Sequence, residues 1–566
     1  MLCSLVTRAQ NYRLTWGDDI KLKKGTADLD IVAADNTGLF FTEERRVMKS
    51  YFLIGASYGA SYRLVKLDKN FGELFDKEYK KELRGLDFHS FETLDNDLYM
   101  FASDYDKRKK EFKLLGSKID KSSGDLAGDF AELGVYELES KRDDYDMKVT
   151  PIDNGRRFLL VSNISGKDRV SLGVSVLDKT LEKKENCVIN ISFDPGLYKL
   201  QDVQFTKGNK IVVLGKVYEE AQYGKKKKKR LVFKEYSLSI YNTKGEKERD
   251  VEIDSQDRYI ISGRLIEEPG GQLLLAGFYS NNAKKEDLNG FYINKIDPDR
   301  GVMTLSSYKE INSGMLGKPF TDDNDDDDET ISNKKAAQKA KDEDDEEDFP
   351  NQFTIKTIDI SPVDGSVIIT SEVSKYAYYS YTNSSYNSST RTWQYTTTYV
   401  HRFTNQDILI IDADKDGNIR WLNDLPKSQI EEIRTTSNSN GIFFDSDPAG
   451  YFATAGGMPF HSSYSSMLLD NNLVLLLNDH TSNNVNPEYG ARVKTVYNFR
   501  KRSNVYGISI DLSTGKMTRK TIASNNDETI LMPRHSMVVK NEFYVPSWRQ
   551  HSLAKTELKF AKITVK

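Results

Sequence analysis

Cysteines and long apolar runs are both scarce in this chain. Only two of its 566 residues are cysteine, Cys3 and Cys187. Two cysteines argue against a disulfide scaffold and against a cysteine-based zinc site. No run of 18 apolar residues occurs, so the sequence predicts no helical transmembrane span. Apolar residues with the helical period extend over no more than a couple of turns outside one highly charged segment, which disfavours a helical fold.

Charge of one sign is not in excess either. The 81 Lys and Arg residues nearly balance the 85 Asp and Glu residues, for a net charge of −4. This balance by itself indicates nothing about nucleic acid, and no nucleic-acid partner is expected. Aromatic residues are abundant at 11%, with 31 Tyr and 27 Phe. Together with plentiful Thr, Val and Ile, they favour pleated, half-buried surfaces.

Two turn motifs recur along the chain, at intervals of roughly 50 to 65 residues that are longer where there are insertions, and mark a repeat of four strands, a to d. The a–b turn precedes an apolar strand such as KIVVLG, QLLLAG, SVIITS or LVLLLN. The c–d turn opens with an Asp or Asn whose side chain can bond the backbone just ahead, often with a Gly that supplies positive φ. It occurs at Asp68, Asp120, Asp178, Asn242, Asp297, Asp414 and Asp511.

Four-stranded antiparallel repeats, too many for one sandwich, predict an all-β protein with a β-propeller fold. The markers delimit repeats at 37–80, 85–135, 145–192, 198–254, 258–311, 352–424 and 461–524. The C-terminal segment 529–566 supplies only three strands, and NYRLTWGDDIKL at 11–22 can supply the fourth. We therefore predict an eight-bladed propeller closed by its N-terminal strand, which leaves no free sheet edge, with seven blades as the alternative.

Two of the c–d turns carry a resemblance to known repeat proteins. The stretches IDADKDGNIRW, from Ile411, and ISIDLSTGKM, from Ile508, resemble repeats of the PQQ-like and WD40-like propeller superfamily of bacterial extracytoplasmic proteins. In those repeats a strand that ends in Asp is followed by a Gly turn and a Trp-bearing strand. The resemblance implies a propeller architecture. No adjacent cysteine pair is present, so the quinone-binding feature of the related dehydrogenases has no counterpart here.

The N-terminal residues 1–10, MLCSLVTRAQ, suggest a location outside the cytoplasm. They resemble the tail of a bacterial secretory signal peptide, with an ordinary frayed terminus as the alternative. Residues 11–566 then form a single propeller domain that acts in the periplasm, at the cell surface or as a secreted protein.

Long insertions are predicted to fall almost entirely on one face of the propeller. The b–c and d–a connections emerge on that face, whereas the a–b and c–d turns on the other face are uniformly tight. The inserted segments are 219–230, 313–350, 376–398, 425–460 and 480–492. We call this the loop-rich face, and loops on a rigid scaffold are where recognition resides. Simple tolerance of insertions on one face is the alternative.

Three of the insertions have distinctive chemistry. The 376–398 segment places aromatic residues among Ser, Asn and Thr, which suits contact with a glycan or a protein; they are Tyr376, Tyr378, Tyr379, Tyr381, Tyr386, Trp393 and Tyr395. The tip of 219–230 is cationic and could contact an anion or a partner, with Lys225, Lys226, Lys227, Lys228, Lys229 and Arg230. The 313–350 segment holds 14 acidic and 4 basic residues between Asp322 and Asp348 and is predicted to be disordered.

Asp412, Asp414 and Asp416 are the candidate metal ligands, for calcium. Their spacing, with Gly417 next, resembles the opening of a calcium loop. However, an EF-hand needs Glu where this chain has Asn423, and the position two residues beyond Asn418 is the cation Arg420. The stretch also occupies the c–d position of a repeat. It is therefore predicted to be a hairpin turn first, with calcium as a secondary possibility and no other cofactor.

No set of residues has the spacing of a catalytic site, so we predict no catalytic residue. The sequence favours a non-enzymatic binding or assembly-scaffold protein that uses its loop-rich face to hold a protein or a glycan. The alternative is a carbohydrate-active or redox enzyme with its site in the central funnel of the propeller.

Overall fold

The computed structural model describes residues 11–22, 26–51, 55–138, 140, 143–223, 228–281, 288–311, 353–389, 391–436, 459–485, 493–525, 529–549 and 557–566. The N-terminal segment 1–10 and the acidic segment 313–350 lie outside these residues. In the part of the chain that is described, helix is confined to a four-residue α-helix, Phe499–Arg502, and short 3-10 turns such as Pro195–Leu197 and Pro533–His535.

The strands of the first half have at most 14 residues and follow one another closely. They are β1 (Tyr12–Trp16), β2 (Ile20–Lys21), β3 (Thr26–Asp35), β4 (Gly38–Tyr51), β5 (Gly55–Leu67), β6 (Glu73–Glu78), β7 (Asp87–Leu94), β8 (Asp97–Asp106), β9 (Glu111–Ile119), β10 (Ala131–Glu137), β11 (Asp144–Ile152), β12 (Arg157–Ser165), β13 (Val170–Leu177), β14 (Lys183–Ile191), β15 (Tyr198–Phe205), β16 (Ile211–Tyr223), β17 (Lys228–Tyr241) and β18 (Lys247–Val251).

The second half continues the pattern, with two much longer strands in its middle. Its strands are β19 (Tyr259–Glu267), β20 (Leu273–Ser280), β21 (Gly290–Asp297), β22 (Val302–Glu310), β23 (Phe353–Ile360), β24 (Val367–Asn387), β25 (Thr392–Ala413), β26 (Ile419–Leu425), β27 (Gln429–Thr436), β28 (Tyr464–Leu469), β29 (Asn472–His480), β30 (Ser503–Asp511), β31 (Met517–Ser524), β32 (Ile530–Leu531), β33 (Met537–Val539), β34 (Glu542–Arg549) and β35 (Glu557–Val565).

The described strands form eight antiparallel sheets. We number seven of them in chain order, each built from four consecutive strands: sheet 1 is β3–β6, sheet 2 β7–β10, sheet 3 β11–β14, sheet 4 β15–β18, sheet 5 β19–β22, sheet 6 β23–β26 and sheet 7 β28–β31. Strand β27 is added to sheet 6 through β25. The eighth, the closing sheet, combines β32–β35 with β1 and β2 from the other end of the chain.

The sheets are arranged in a closed ring. Every neighbouring pair buries a hydrophobic core of its own, from sheets 1 and 2 around to sheet 7 and the closing sheet. A last shared core, between the closing sheet and sheet 1, completes the circuit. This arrangement is a β-propeller, and the predicted all-β propeller class is confirmed.

The apolar b strands are continuous because both of their faces are covered. In β20, Leu273 and Leu275 pack towards sheet 4, whereas Leu274, Ala276 and Phe278 pack towards sheet 6. A strand buried on both faces needs no polar residue in alternate positions. This explains why runs such as QLLLAG were the clearest apolar signals in the sequence.

The predicted closure by the N-terminal strand is confirmed. Tyr12–Trp16 pairs antiparallel with β35, from Tyr12 opposite Val565 to Trp16 opposite Ala561. It forms the outermost strand of the closing sheet. The first repeat, by contrast, begins at Thr26 and not at residue 37. Strand β3 was missed because irregularities between Thr26 and Asp28 and between Ile31 and Ala33 break the alternating pattern of TADLDIVAAD.

Candidate functional site

Three of the b–c hairpins are far longer than the sheets need. They are β4–β5, β16–β17 and β24–β25, of which β24–β25 has paired residues as far as Asn387 opposite Thr392. The first of these was not among the insertions predicted from the sequence. All three are b–c connections, so they emerge on the loop-rich face.

The register of the β24–β25 hairpin divides the predicted aromatic residues between two faces. Directly opposite residues of an antiparallel pair share a face, and residues two apart along a strand share it as well. Tyr376, Tyr378 and Tyr386 therefore lie on the same face as their opposite partners, and so do Trp393 and Tyr395. Tyr379 and Tyr381 lie on the other face. The sequence could not show this division, because it depends on which residues of the two strands pair.

On the two hairpin strands, the face that carries Tyr376, called here the aromatic face, is formed by six pairs of opposite residues. From the base to the tip they are Tyr376–Phe403, Tyr378–His401, Ser380–Tyr399, Thr382–Thr397, Ser384–Tyr395 and Tyr386–Trp393. Beside its base, β27 adds Ile433 opposite His401 and Glu431 opposite Phe403. Four of its rings are more than half exposed: Tyr378 at 55%, Tyr386 at 53%, Trp393 at 58% and Tyr395 at 69%. Large aromatic rings exposed together on one face form an apolar surface patch. Such patches are unusual on soluble proteins and mark interaction sites.

Ring contacts order the aromatic face at both ends. Near the base, Tyr378 lies parallel to Tyr399 with ring centroids 6.3 Å apart, and 4.8 Å from the His401 ring. Near the tip, Tyr386 and Trp393 lie 5.5 Å apart. Between them the Thr382 and Thr397 hydroxyls are hydrogen-bonded at 2.9 Å. Side chains held by their neighbours lose less entropy when a ligand binds.

The opposite face of the hairpin is charged. Glu432 of β27 pairs with Arg434 at 2.6 Å and with Arg402 at 3.6 Å, and it accepts a hydrogen bond from the Tyr379 hydroxyl at 3.3 Å. Burial, together with the nearby Glu432 carboxylate, raises the pKa of Tyr379 to about 12. The Tyr379 hydroxyl thus contacts Glu432 within the protein, whereas some tyrosine rings of the aromatic face are exposed to solvent.

A buried ionic cluster fixes the base of this hairpin to sheet 7. The Glu372 carboxylate, at the start of the extension, is 2.6 Å from Lys427 Nζ and 3.1 Å from Lys356 Nζ. It also accepts hydrogen bonds from Ser463 Oγ at 2.5 Å and from Asn405 Nδ2 at 3.0 Å. Burial favours the neutral acid, but the two lysines outweigh it and lower the pKa of Glu372 to about 2.

A second carboxylate, that of Glu431, holds the connection between sheet 6 and sheet 7. The Glu431 side chain accepts hydrogen bonds from the backbone N–H groups of Phe460, His461 and Ser462, at 2.9 to 3.0 Å. A carboxylate that receives several backbone N–H groups holds a loop in one conformation. With Glu372, it makes the base of the hairpin rigid. These two glutamates were missed from the sequence, because nothing in the local pattern shows which lysines or amides they reach.

The central channel contains ionisable groups from neighbouring sheets. First strands of several neighbouring sheets contact each other, for instance β7 with β11 and β19 with β23. Burial raises the pKa of Glu92, on β7, to about 7, and that of Asp202, on β15, to about 6. Burial also lowers the pKa of Lys148, on β11, whose charge acts on both carboxyl groups. Carboxyl groups that titrate near neutral pH are a feature of functional sites.

The cationic tip is described only in part. Lys225, Lys226 and Lys227 lie outside the described residues. Lys228, Lys229 and Arg230 belong to β17, where they pair with Tyr223, Gln222 and Ala221. Contact of this tip with an anion or a partner stays a prediction.

The 412–418 turn has the geometry of the repeated c–d turns. Asp414 Oδ1 accepts hydrogen bonds from the backbone N–H groups of Asp416, at 2.9 Å, and Asn418, at 2.8 Å, and Gly417 has a φ of +76°. Asp412 is buried, with its carboxylate 3.2 Å from Arg420 Nε. No group of three His, Cys, Asp or Glu side chains arranged to hold a metal ion occurs in the described ranges. Calcium binding by Asp412, Asp414 and Asp416 stays a prediction.

Replacing Asp414 tests whether the turn is structural. Asn242 occupies the same position in sheet 4 and accepts the same two kinds of backbone bond, at 2.9 and 3.1 Å. We therefore expect Asp414→Asn to preserve the free energy of unfolding and Asp414→Ala to lower it by about 1 kcal/mol, measured by denaturant titration. A calcium-dependent rise in stability that Asp414→Asn abolishes would instead identify a metal site.

Comparisons with known proteins add similarity of shape only. No family model and no curated protein matches the chain. Solved structures do. The propeller domain of the Trilobed protease from Pyrococcus furiosus is 10% identical with a TM-score of 0.32, and the alignment covers 89% of this chain and 98% of that one. Apocarotenoid oxygenase from Synechocystis is 9% identical with a TM-score of 0.33, covering 91% and 94%.

A third similar structure covers less of the chain. The alpha-L-arabinanase from Penicillium chrysogenum is 8% identical with a TM-score of 0.28, and the alignment covers 52% of this chain and 98% of that one. The three proteins have different activities, and sequence identities of 8 to 10% are too low to assign any of these activities to this chain.

No helix in the described residues is long and apolar enough to cross a membrane.

Proposed function

We propose that the chain is a non-enzymatic extracytoplasmic binding or scaffold protein that holds its partner on the loop-rich face. The observation that carries this proposal is the β24–β25 hairpin, which extends well beyond sheet 6 and holds four rings more than half exposed. A hairpin serving only to connect two strands needs about two to five residues in its loop. The ionic cluster at Glu372 supports the proposal, because it makes the base of an exposed projection rigid.

Trimming the hairpin tests this function. Ser380 and Tyr399 are directly opposite, so removing residues 381–398 and joining them by Asn-Gly should leave a tight hairpin. We expect the full chain to be retained on cell-envelope and exported polymer fractions and the trimmed chain to pass through. Circular dichroism should show the same fold for both, because only one backbone pair with β27, Thr398 with Thr436, is lost.

The control for this experiment changes the opposite face of the propeller. The Asp414→Asn variant alters a c–d turn and should be retained like the unmodified chain. Retention that is the same for the trimmed and the full chain would overturn the proposal, because the partner would then be held elsewhere.

A second candidate function is an enzyme that acts in the central channel. It is favoured by Glu92, Asp202 and Lys148, whose charges interact across three neighbouring sheets and whose pKa values are shifted by burial. A carbohydrate-active or redox reaction would place its substrate between these groups. Enzymatic turnover of a substrate at the same rate by the trimmed chain and the full chain would favour this candidate, since trimming leaves the channel unchanged.

A further inference from the structure

The composition of the aromatic face restricts its ligand. Among its twelve residues there is no Lys, Arg, Asp or Glu, and no Leu, Ile, Val or Met. Seven are Tyr, Trp or Phe, one is His401, and four are Ser or Thr. Lys375 and Arg402, which adjoin face residues in sequence, fall on the other face, because they pair with Thr404 and Ala377. Arg391 lies in the turn at the tip, outside the paired strands. The neutrality of this face is therefore a property of one side of the hairpin.

The one titratable ring nitrogen on the face is also uncharged at neutral pH. His401 is buried at the base of the hairpin, where Nδ1 lies 2.8 Å from the Tyr376 hydroxyl. Burial lowers the pKa of His401 to about 4. The twelve paired residues therefore offer an incoming ligand flat rings and hydroxyl groups, and none of their side chains is charged at neutral pH.

The dimensions of the face suit an extended ligand. Ten residues separate Tyr376 from Tyr386, so the face is about 33 Å long at the rise of a β-strand. Exposed rings stand near the base, at Tyr378, and near the tip, at Tyr386, Trp393 and Tyr395. Between them, the hydroxyls of Ser380, Thr382, Thr397 and Ser384 form a polar middle section.

This chemistry matches one class of polymer better than others. Single-stranded nucleic acid also stacks on aromatic rings, but its binding requires cationic side chains that follow the phosphates, and this face has none. Protein interfaces also use Tyr and Trp, but the Met and Arg side chains that are enriched with them there are absent from these twelve residues. A neutral sugar chain has apolar ring faces that stack on aromatic side chains and hydroxyl edges that hydrogen-bond with Ser, Thr and Tyr.

We propose that the aromatic face of the β24–β25 hairpin binds a neutral, extended polysaccharide along its length. The inference rests on the proposed binding function and names its ligand class. Sugar rings stack at the base and at the tip of the hairpin, and the hydroxyl section contacts the polymer between them.

The test uses the complete chain in gels that contain one polymer each. The neutral polysaccharides are a β-glucan, a xylan, a mannan and an α-glucan, and the anionic polymers are alginate and the single-stranded nucleic acid poly(dT). We expect at least one neutral polymer to retard migration and neither anionic polymer to do so. Trp393→Ala should raise the dissociation constant about tenfold or more, as expected when an aromatic residue that stacks on the ligand is lost. Tyr381→Ala, which removes a similar ring from the other face, should change it less than twofold.

Intrinsic fluorescence supplies a second measurement. The chain has four tryptophans, so oligosaccharides of the retarding polymer should shift an emission component that Trp393→Ala removes. Failure of every neutral polymer to retard the chain would overturn the inference, as would equal losses in Trp393→Ala and Tyr381→Ala. If the trimmed chain still loses its retention on envelope fractions in that case, the binding function stands with another ligand. If trimming has no effect, both proposals fail.

Discussion

Deleting residues 11–22 should destabilise the whole ring and not only its last sheet. The segment contributes to two shared cores at once: Tyr12 and Leu14 pack with the core between sheet 7 and the closing sheet, and Ile20 and Leu22 are buried with sheet 1. Burial of a large aliphatic side chain contributes about 1.5 to 3 kcal/mol. The loss is therefore about 5 kcal/mol or more, comparable with the total stability of many domains.

The measurement is thermal unfolding followed by circular dichroism, with a matched control. We expect the midpoint to fall sharply and the deleted chain to aggregate, because β35, which stays paired with β34, becomes an exposed edge strand when β1 and β2 are lost. A synthetic peptide of residues 11–22, added in trans, should restore part of the midpoint. Trp16→Ala is the control: Trp16 is 40% exposed, and its loss should cost far less than the deletion. An unchanged melting transition in the deleted chain would refute the closure by β1.

Removing the Lys427 ammonium should have the second large effect. Lys427 and Glu372 are both fully buried, with Nζ and Oε1 2.6 Å apart. Removing one member of a buried ion pair costs about 3 to 5 kcal/mol, and the lower end of that range applies here because Lys356 still lies 3.1 Å from Glu372. We expect Lys427→Met to lower the free energy of unfolding by that amount in a denaturant titration. The control is Lys118→Met, which breaks an exposed pair with Asp97 and should cost about 1 kcal/mol or less. Equal effects of the two substitutions would show that the cluster does not stabilise the fold.

The same cluster predicts how stability depends on acid. The pKa of Glu372 is lowered in the folded chain from 4.5 to about 2. The ionised carboxylate therefore stabilises the fold fully above pH 4.5, and this contribution is lost as the pH falls through about 2. Glu372→Gln should lower stability at neutral pH and should flatten the acid limb of the stability profile between these values. An unaltered acid limb would assign the acid sensitivity to other carboxyl groups.

Much of the architecture could be predicted from the sequence because it depends on interactions between residues that are close together in the chain. An Asp or Asn at the start of a c–d turn bonds the next backbone N–H groups wherever it occurs, and the structure shows these bonds at Asp68, Asp120, Asp178, Asn242, Asp297, Asp414 and Asp511. Apolar b strands follow from burial on both faces. Strand β3 was not predicted, since its bulges break the period on which the prediction depends.

The sequence by itself determined the all-β repeat, the closure by the N-terminal strand and the aromatic composition of the 376–398 insertion. Only the tertiary structure decided which of those aromatic residues share a face, because a face is set by strand register, and a shift of one residue would exchange the two sides. It alone also brought Glu372 to Lys427 and Ser463, and Glu92 towards Lys148. Those contacts join residues from different strands or different sheets, and their energies depend on burial and distance, which no local pattern of residues encodes.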